Sequence, residues 1–148
     1  MEEIIIRSAK ASELRDLRHR VLRAGMPIEE ADFPGDEATD TFHAAAVTLD
    51  GKVVGCATLM MSKYGDGPAW RLRGMAVDPE WRKQCIGKRL LDLCEAHVRH
   101  SETLQLWCNA RTPAVPFYLS LDWTRHGSEF DIPTAGPHYI MSKLLQNR

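Results

Sequence analysis

Val77-Asp78-Pro79-Glu80-Trp81-Arg82-Lys83-Gln84-Cys85-Ile86-Gly87-Lys88-Arg89-Leu90-Leu91 reads as the end of a strand, a tight turn and the start of a helix. Asp78-Pro79 stops the strand, because proline cannot donate to a ladder and restricts the residue before it. Downstream, Ile86, Leu90, Cys94 and Val98 recur every fourth residue with Leu91 and Leu93 beside them, an apolar stripe that must lie on a sheet. The polar remainder of the helix, Lys88, Arg89, Asp92, Glu95 and Arg99, is expected to face water. Arg82, Lys83, Lys88 and Arg89 crowd the N-terminal end of this helix. Exposed cations there are disfavoured by roughly 0.3–1 kcal/mol each, since the helix dipole is positive at that end. An anion over the first turn, held by backbone N–H groups and the four cations, turns this unfavourable pattern into a binding site. A solvated basic patch is the plainer reading of the same residues.

Working towards the N-terminus, Trp70 to Val77 reads as the strand feeding the turn, preceded by a Gly65-Asp66-Gly67-Pro68 loop. Phe42 to Leu49 and Lys52 to Met61 are two further strands, joined by Asp50-Gly51, a two-residue hairpin signal. Three consecutive strands should therefore run antiparallel. Ahead of them, Ile4-Ile5-Ile6 reads as a first strand. Ser12 reads as the cap of a helix with Leu14, Leu17, Val21 and Leu22 on one face, ending near Gly25 and Pro27. From Ala24 to Gly51 there is no Lys or Arg, while Glu29, Glu30, Asp32, Asp36, Glu37 and Asp40 are all acidic. This loop is either a solvated connection or a rim that draws in a cationic acceptor.

Towards the C-terminus, Leu104, Leu106 and Cys108 alternate with Gln105 and Trp107 as a fifth strand. A helix of suitable length connects it to Trp70–Val77, so the two strands should lie parallel. Pro113 opens a short helix carrying Phe117, Tyr118 and Leu121. Strands near Thr124 to Ser128 and Tyr139 to Leu144, separated by a Pro- and Gly-containing loop, complete the chain.

With 148 residues, 44% of them hydrophobic, the chain suits one domain over residues 1–148 with a substantial core. A net charge of -1 argues against nucleic-acid binding through bulk electrostatics and leaves the basic cluster to a small phosphorylated ligand. The apolar run after Met1-Glu2-Glu3 is too short for a signal peptide or membrane span, so a cytoplasmic location without membrane association is expected. Cys56, Cys85, Cys94 and Cys108 show no C-x-x-C spacing and read as reduced thiols. His19, His43, His97, His100 and His126 form no metal-ligand grouping, and no metal is expected.

These residues resemble the GNAT superfamily of acyl-CoA-dependent N-acetyltransferases over most of the chain. The family's acyl-CoA loop, Arg/Gln-x-x-Gly-x-Gly/Ala after a strand ending Val-x-Pro, is matched by Val77-Asp78-Pro79 and Arg82-x-x-Cys85-x-Gly87, with Cys85 where glycine is usual. Its Ala-x-x-x-Tyr-x-x-x-Gly-Phe segment is matched by Ala114 to Trp123, with Tyr118 in place, Asp122 for glycine and Trp123 for phenylalanine. The family's common Asn falls on Arg111, with Asn109 two positions earlier. The resemblance implies a mixed α/β (α+β) fold, a mostly antiparallel central sheet of about six to seven strands flanked by helices. It further implies transfer of an acetyl group from acetyl-CoA to a primary amine by direct attack in a ternary complex, with CoA as product. A homodimer is usual in that family.

Carried onto this sequence, the resemblance assigns the pantetheine arm to the backbone of Met75, Ala76 and Val77. The pyrophosphate falls to Arg82, Lys83, Gln84, Cys85, Ile86, Gly87, Lys88 and Arg89, and Tyr118 becomes the acid for the departing thiolate. The base is open among Glu29, Glu30, Glu129, Asp131 and His138. His138 is favoured, because imidazole exchanges protons most readily near neutral pH, and Glu29 is kept beside it. Tyr118 as a packing residue and His138 as a structural one are the plainer alternatives. Cys85, at a helix start among cations, is expected to alkylate readily and to be protected by acetyl-CoA. The acceptor is a small-molecule amine or a peptide amino group. Rival readings are a non-catalytic acyl-CoA-binding regulatory module, suggested by Cys85, Arg111 and Asp122, and an unrelated nucleotide-phosphate binder.

Overall fold

A computed structural model describes residues 3–146. The elements are β1 (Ile4–Ala9), α1 (Ala11–Leu22), β2 (Phe42–Thr48), β3 (Val53–Met61), β4 (Trp70–Val77), α2 (Ile86–Arg99), β5 (Gln105–Arg111), α3 (Val115–Ser120), β6 (Thr124–Ile132) and β7 (Gly136–Leu144). Single 3-10 turns sit at Ile28–Ala31, Pro79–Trp81 and Thr112–Ala114. The seven strands form one sheet in the order β1-β2-β3-β4-β5-β7-β6. It is antiparallel except where β4 meets β5.

Helices cover β2 and β3 on both faces, which is why these two strands are buried almost continuously, whereas burial along β5 alternates. Alternate residues of β2 divide between the two layers. Ala44 and Ala46 join Ile86, Leu90, Cys94 and Val98 of α2, while Ala45 and Val47 join Leu14 and Leu17 of α1. The small residues of β2 and β3 let α2 come close: a Cβ on Gly55 of β3 would stand 2.8 Å from Ile86 Cγ2 and 3.0 Å from Leu90 Cδ1.

Several local expectations are corrected. Lys10, not Ser12, occupies the N-cap of α1. The Glu13 carboxylate reaches back to accept the Lys10 N–H at 2.8 Å, so an acidic side chain one turn in does the work expected of a serine. Glu95 does not face water. It is buried, accepting two bonds from Lys143 Nζ at 3.1 and 3.2 Å, and it ties α2 to β7. β6 runs on to Ile132 because β7 pairs with it that far, and the separating loop shrinks to residues 133–135. Among the described residues no helix is long and apolar enough to cross a membrane.

Candidate active site between two parted strands

β4 and β5 pair only at Trp70↔Leu106 and Arg71↔Trp107. Beyond Arg71 the two strands diverge, while β3 and β7 continue to pair their outer edges. A sheet cannot split without leaving edge N–H and C=O groups unpaired, so the gap offers ready hydrogen-bonding edges inside the molecule. The resulting cleft has a volume of about 260 Å³. A bulge accentuates the divergence: Gly74 and Met75 together oppose Ala57, and Gly74 takes φ 61°. A Cβ at Gly74 would also stand 2.9 Å from the Phe33 ring, so two requirements demand glycine there.

At the exit of β4, Asp78 pins the turn. Its N–H donates to the Val54 carbonyl at 2.8 Å, its carboxylate accepts the Glu80 N–H at 3.0 Å, and Arg20 pairs with it at 3.2 Å. Burial would raise the Asp78 pKa, but the Glu80 N–H and the Arg20 guanidinium outweigh it and hold the carboxyl below its ordinary range. The chain then turns through Lys83 (φ 67°) and Cys85 (φ 60°), and Cys85 is the N-cap of α2. The first helical bond runs from Arg89 N–H to Cys85 C=O, so the N–H groups of Ile86, Gly87 and Lys88 have no acceptor within the helix. No side chain caps them and no acid stands in the first turn.

The four cations of this turn do not act alike. Lys88 pairs with Asp92 at 3.1 Å and Arg89 donates to the Ile4 carbonyl at 3.0 Å. Arg82 and Lys83 are exposed and make no ion pair among the described residues. Cys85 is exposed, Gln84 half-buried, and Ile86 is sunk in the core under Gly55, leaving only its backbone to the turn. Gly87 packs against α3, where a Cβ would come within 3.1 Å of the Phe117 ring. Met75 lines the cleft, while Ala76 points into the core under α1 and Val77 packs on the α2 side.

Tyr118 and His138 both line the cleft and both are buried. The Tyr118 ring is held edge-on by Phe117 and Trp123, at centroid distances of 5.2 and 5.1 Å. Burial, then the neighbouring thiols of Cys108 and Cys94, push its pKa well above the ordinary phenol value, so it keeps its proton. His138 Nδ1 lies 2.7 Å from the Gly136 carbonyl. A carbonyl can only accept, so Nδ1 carries the hydrogen, and in the neutral ring Nε2 keeps the lone pair. Glu29 is not brought to this place. It sits exposed on the Ile28–Ala31 turn, away from the cleft wall, and Glu129 accepts from Thr112 on the surface.

The acids of the loop likewise do not line the cleft, although Asp40 lines a neighbouring pocket with Arg71 and Arg73. Asp32 pairs with Arg15, and Asp36 binds Arg18 through bonds of 2.7 and 3.1 Å while capping the Phe33 N–H at 2.9 Å. The charged side chains that do line the cleft are Arg23, Arg71, Arg73 and Arg111. Sequence reasoning passed over the first three, although Arg71-x-Arg73 places two cations on one face of a central strand, where charge is seldom buried without a purpose.

An acetyltransferase (GNAT) domain model matches residues 28–132. A Bacillus subtilis (strain 168) protein named uncharacterized N-acetyltransferase YitI is 32% identical over 144 residues, spanning 95% of this chain and 96% of its own. Among solved structures, Escherichia coli ElaA aligns with a TM-score of 0.78 at 18% identity, over 95% of this chain and 99% of that one. An aminoglycoside 6'-N-acetyltransferase complexed with coenzyme A gives 0.77 at 19% identity, over 97% and 98%. The structural likenesses establish the shared seven-stranded fold, and the domain match and the sequence relative go further: the chain belongs to the GNAT acetyltransferase family, as an acyl-CoA-dependent N-acetyltransferase.

Proposed function

We propose that this protein moves an acetyl group from acetyl-CoA to a primary amine by direct attack within a ternary complex. One observation carries the reading: a tyrosine that keeps its proton and a histidine with a free Nε2 line the same gap between two parted strands. The residues present fit the cofactor. Three N–H groups without helical acceptors at Ile86, Gly87 and Lys88, with the unpaired cations Arg82 and Lys83 beside them, suit a pyrophosphate. Gln84, Cys85 and Arg89 complete that turn. The backbone of Met75, Ala76 and Val77, on the open edge of β4, suits the amide groups of a pantetheine arm.

Bound acetyl-CoA supplies an activated thioester. Everything else falls to the chain. His138 Nε2 accepts the proton that an ammonium acceptor must lose before it can attack, Tyr118 gives its phenolic proton to the departing thiolate, and the resulting phenolate takes up the second proton that the nitrogen sheds on becoming an amide. Edge N–H groups of β4 would stabilise the negative charge that develops on the thioester oxygen. Cys108, the thiol on the cleft wall, is pushed up to about 12 by burial. It is therefore no acyl carrier near neutral pH, which favours direct attack over a covalent enzyme intermediate.

Release of free CoA thiol, followed across an amine panel, tests the reading. Tyr118→Phe should lower kcat by about 100-fold with little change in KM, the loss expected of a group acting in the transition state. Undiminished turnover in that variant would refute the acid role. Failure of the wild type to bind acetyl-CoA in isothermal titration would sink the whole proposal.

A further inference from the structure

The acceptor end of the cleft is built for the opposite charge from the one the acidic loop suggests. Arg23, Arg71, Arg73 and Arg111 line it, and no Asp or Glu does. Among the described residues none of the four makes an ion pair. Arg23 and Arg111 reach only the Leu22 carbonyl, at 3.1 and 3.4 Å, and the Nε of Arg71 is shielded from solvent with no partner at all. Asp36, which acts on Arg73, is already engaged by Arg18 and the Phe33 N–H, while Glu30 acts on Arg23 and Asp40 lines a neighbouring pocket with Arg71 and Arg73, neither of them in an ion pair with these arginines.

Aromatic rings hold these cations in place without neutralising them. The guanidinium carbons of Arg18, Arg73 and Arg23 lie 4.0, 4.6 and 5.3 Å from the centroid of the single ring of Phe33, and Arg71 lies 5.0 Å from that of Trp107. Ring faces attract cations weakly, by about 0.5–1 kcal/mol at exposed sites and about 2 kcal/mol when desolvated. Like charges this close oppose one another, and the strain shows: burial, then Arg71, Arg23 and Arg18, lower Arg73 to about 10. Burial also lowers Arg71 and Arg23, and Arg111 adds to the effect on Arg23. A chain that only needed to fold would not gather four unpaired guanidinium groups here.

We infer that the acceptor amine carries a carboxylate, which these arginines bind while its amino group faces Tyr118 and His138. The inference rests on the acetyl-transfer reading above and names the substrate class of that site. Guanidinium matches carboxylate through paired, parallel N–H bonds, so an arginine cluster selects both charge and shape. The phosphates of CoA do not account for Arg71 and Arg73. At about 3.3 Å per residue, these lie roughly 20 and 13 Å along β4 from Val77, where the phosphate turn begins. The cleft, at about 260 Å³, is also small. It suits an amino acid or a compound of similar size, near the lower bound of roughly 300 Å³ for small-molecule sites. Surrounding cations further disfavour the ammonium form of the acceptor, easing the deprotonation that attack requires.

The test measures thiol release by the acetyl-CoA-saturated enzyme with the protein L-amino acids, their α-carboxamides, and 1,4-diaminobutane. At least one free acid should exceed its carboxamide in kcat/KM by about tenfold or more, the value of a charge-assisted hydrogen bond pair. Arg73→Gln and Arg71→Gln should each erase that gap by raising KM for the acid, with the acetyl-CoA dissociation constant unchanged. Equal or better use of the carboxamides or the diamine, a gap that survives both substitutions, or no turnover of any free acid overturns the inference. Intact acetyl-CoA binding in those cases leaves acetyl transfer standing, whereas its absence from the wild type removes the reading beneath.

Discussion

Cys85 and Asp122 stand where the family pattern has glycine, and both adopt left-handed backbone, with φ 60° and 71°. At Asp122 the reason is a helix end. Its N–H bonds to the Leu119 carbonyl, the Trp123 N–H bonds to the Tyr118 carbonyl, and the Trp123 and Tyr118 rings close over the turn. This is the arrangement that glycine favours just past a helix, since a β-carbon there costs about 1 kcal/mol. Asp122→Gly and Cys85→Gly should each raise stability by about 0.5–1 kcal/mol in urea unfolding, the gain being reduced by glycine's extra freedom in the unfolded chain. A neutral or lower midpoint in both would show that local bonds at these sites already offset the strain. That both positions depart from the pattern was visible in the sequence. Why the pattern wants glycine became clear only from the φ angles.

Among the elements, α2 was the most legible and also held a misreading. Its four-residue apolar repeat gave the correct buried face, and the connection to β5 gave the parallel pairing. Glu95 was missed because periodicity assigns faces without knowing what covers them, and its partner Lys143 lies far off in sequence. The close fit of α2 to the sheet at Gly55 was equally hidden, since a strand glycine gives no sign of which helix approaches it. Gly55→Val should destabilise the protein by about 1–3 kcal/mol through overpacking against Ile86 and Leu90. An unchanged denaturation midpoint would mean that α2 can ride outward freely. On β4, the spacing of Arg71 and Arg73 was a signal that went unread, and the sequence could not show that β5 swings away there and leaves them lining a cleft.

Across the whole molecule, a net charge of -1 conceals a strong separation of charge. Arginines concentrate in the cleft while carboxylates pin the framework around it. Burial works to raise the pKa of both Asp36 and Asp78, yet Arg18 and the Phe33 N–H, and the Glu80 N–H and Arg20, prevail and hold both below the ordinary 3.8. A carboxyl lowered on folding contributes stability that is fully present above its unfolded pKa and is lost as pH falls through the folded one. The melting temperature should therefore be level with respect to these groups above about pH 5 and should drop from near 3.8 downward. Asp78→Asn should melt lower at neutral pH and show a shallower acid decline; an equally steep decline would remove Asp78 from the response. This coupling was illegible beforehand, because the acids of residues 24–51 look alike in sequence and only the fold decides which one meets an arginine.

The parting of β4 from β5 also makes the sheet an unfinished object. One side carries β1 to β4 and the other β5, β7 and β6, with two residue pairs stitching the strands together at the seam. Whatever lies along the open edges works as a missing strand, so occupancy and folding are linked by mass action. A ligand at one hundred times its dissociation constant adds about 2.7 kcal/mol to the folded state. The enzyme should thus be at its most fragile between turnovers, and its abundance should follow the supply of the molecule that completes its sheet.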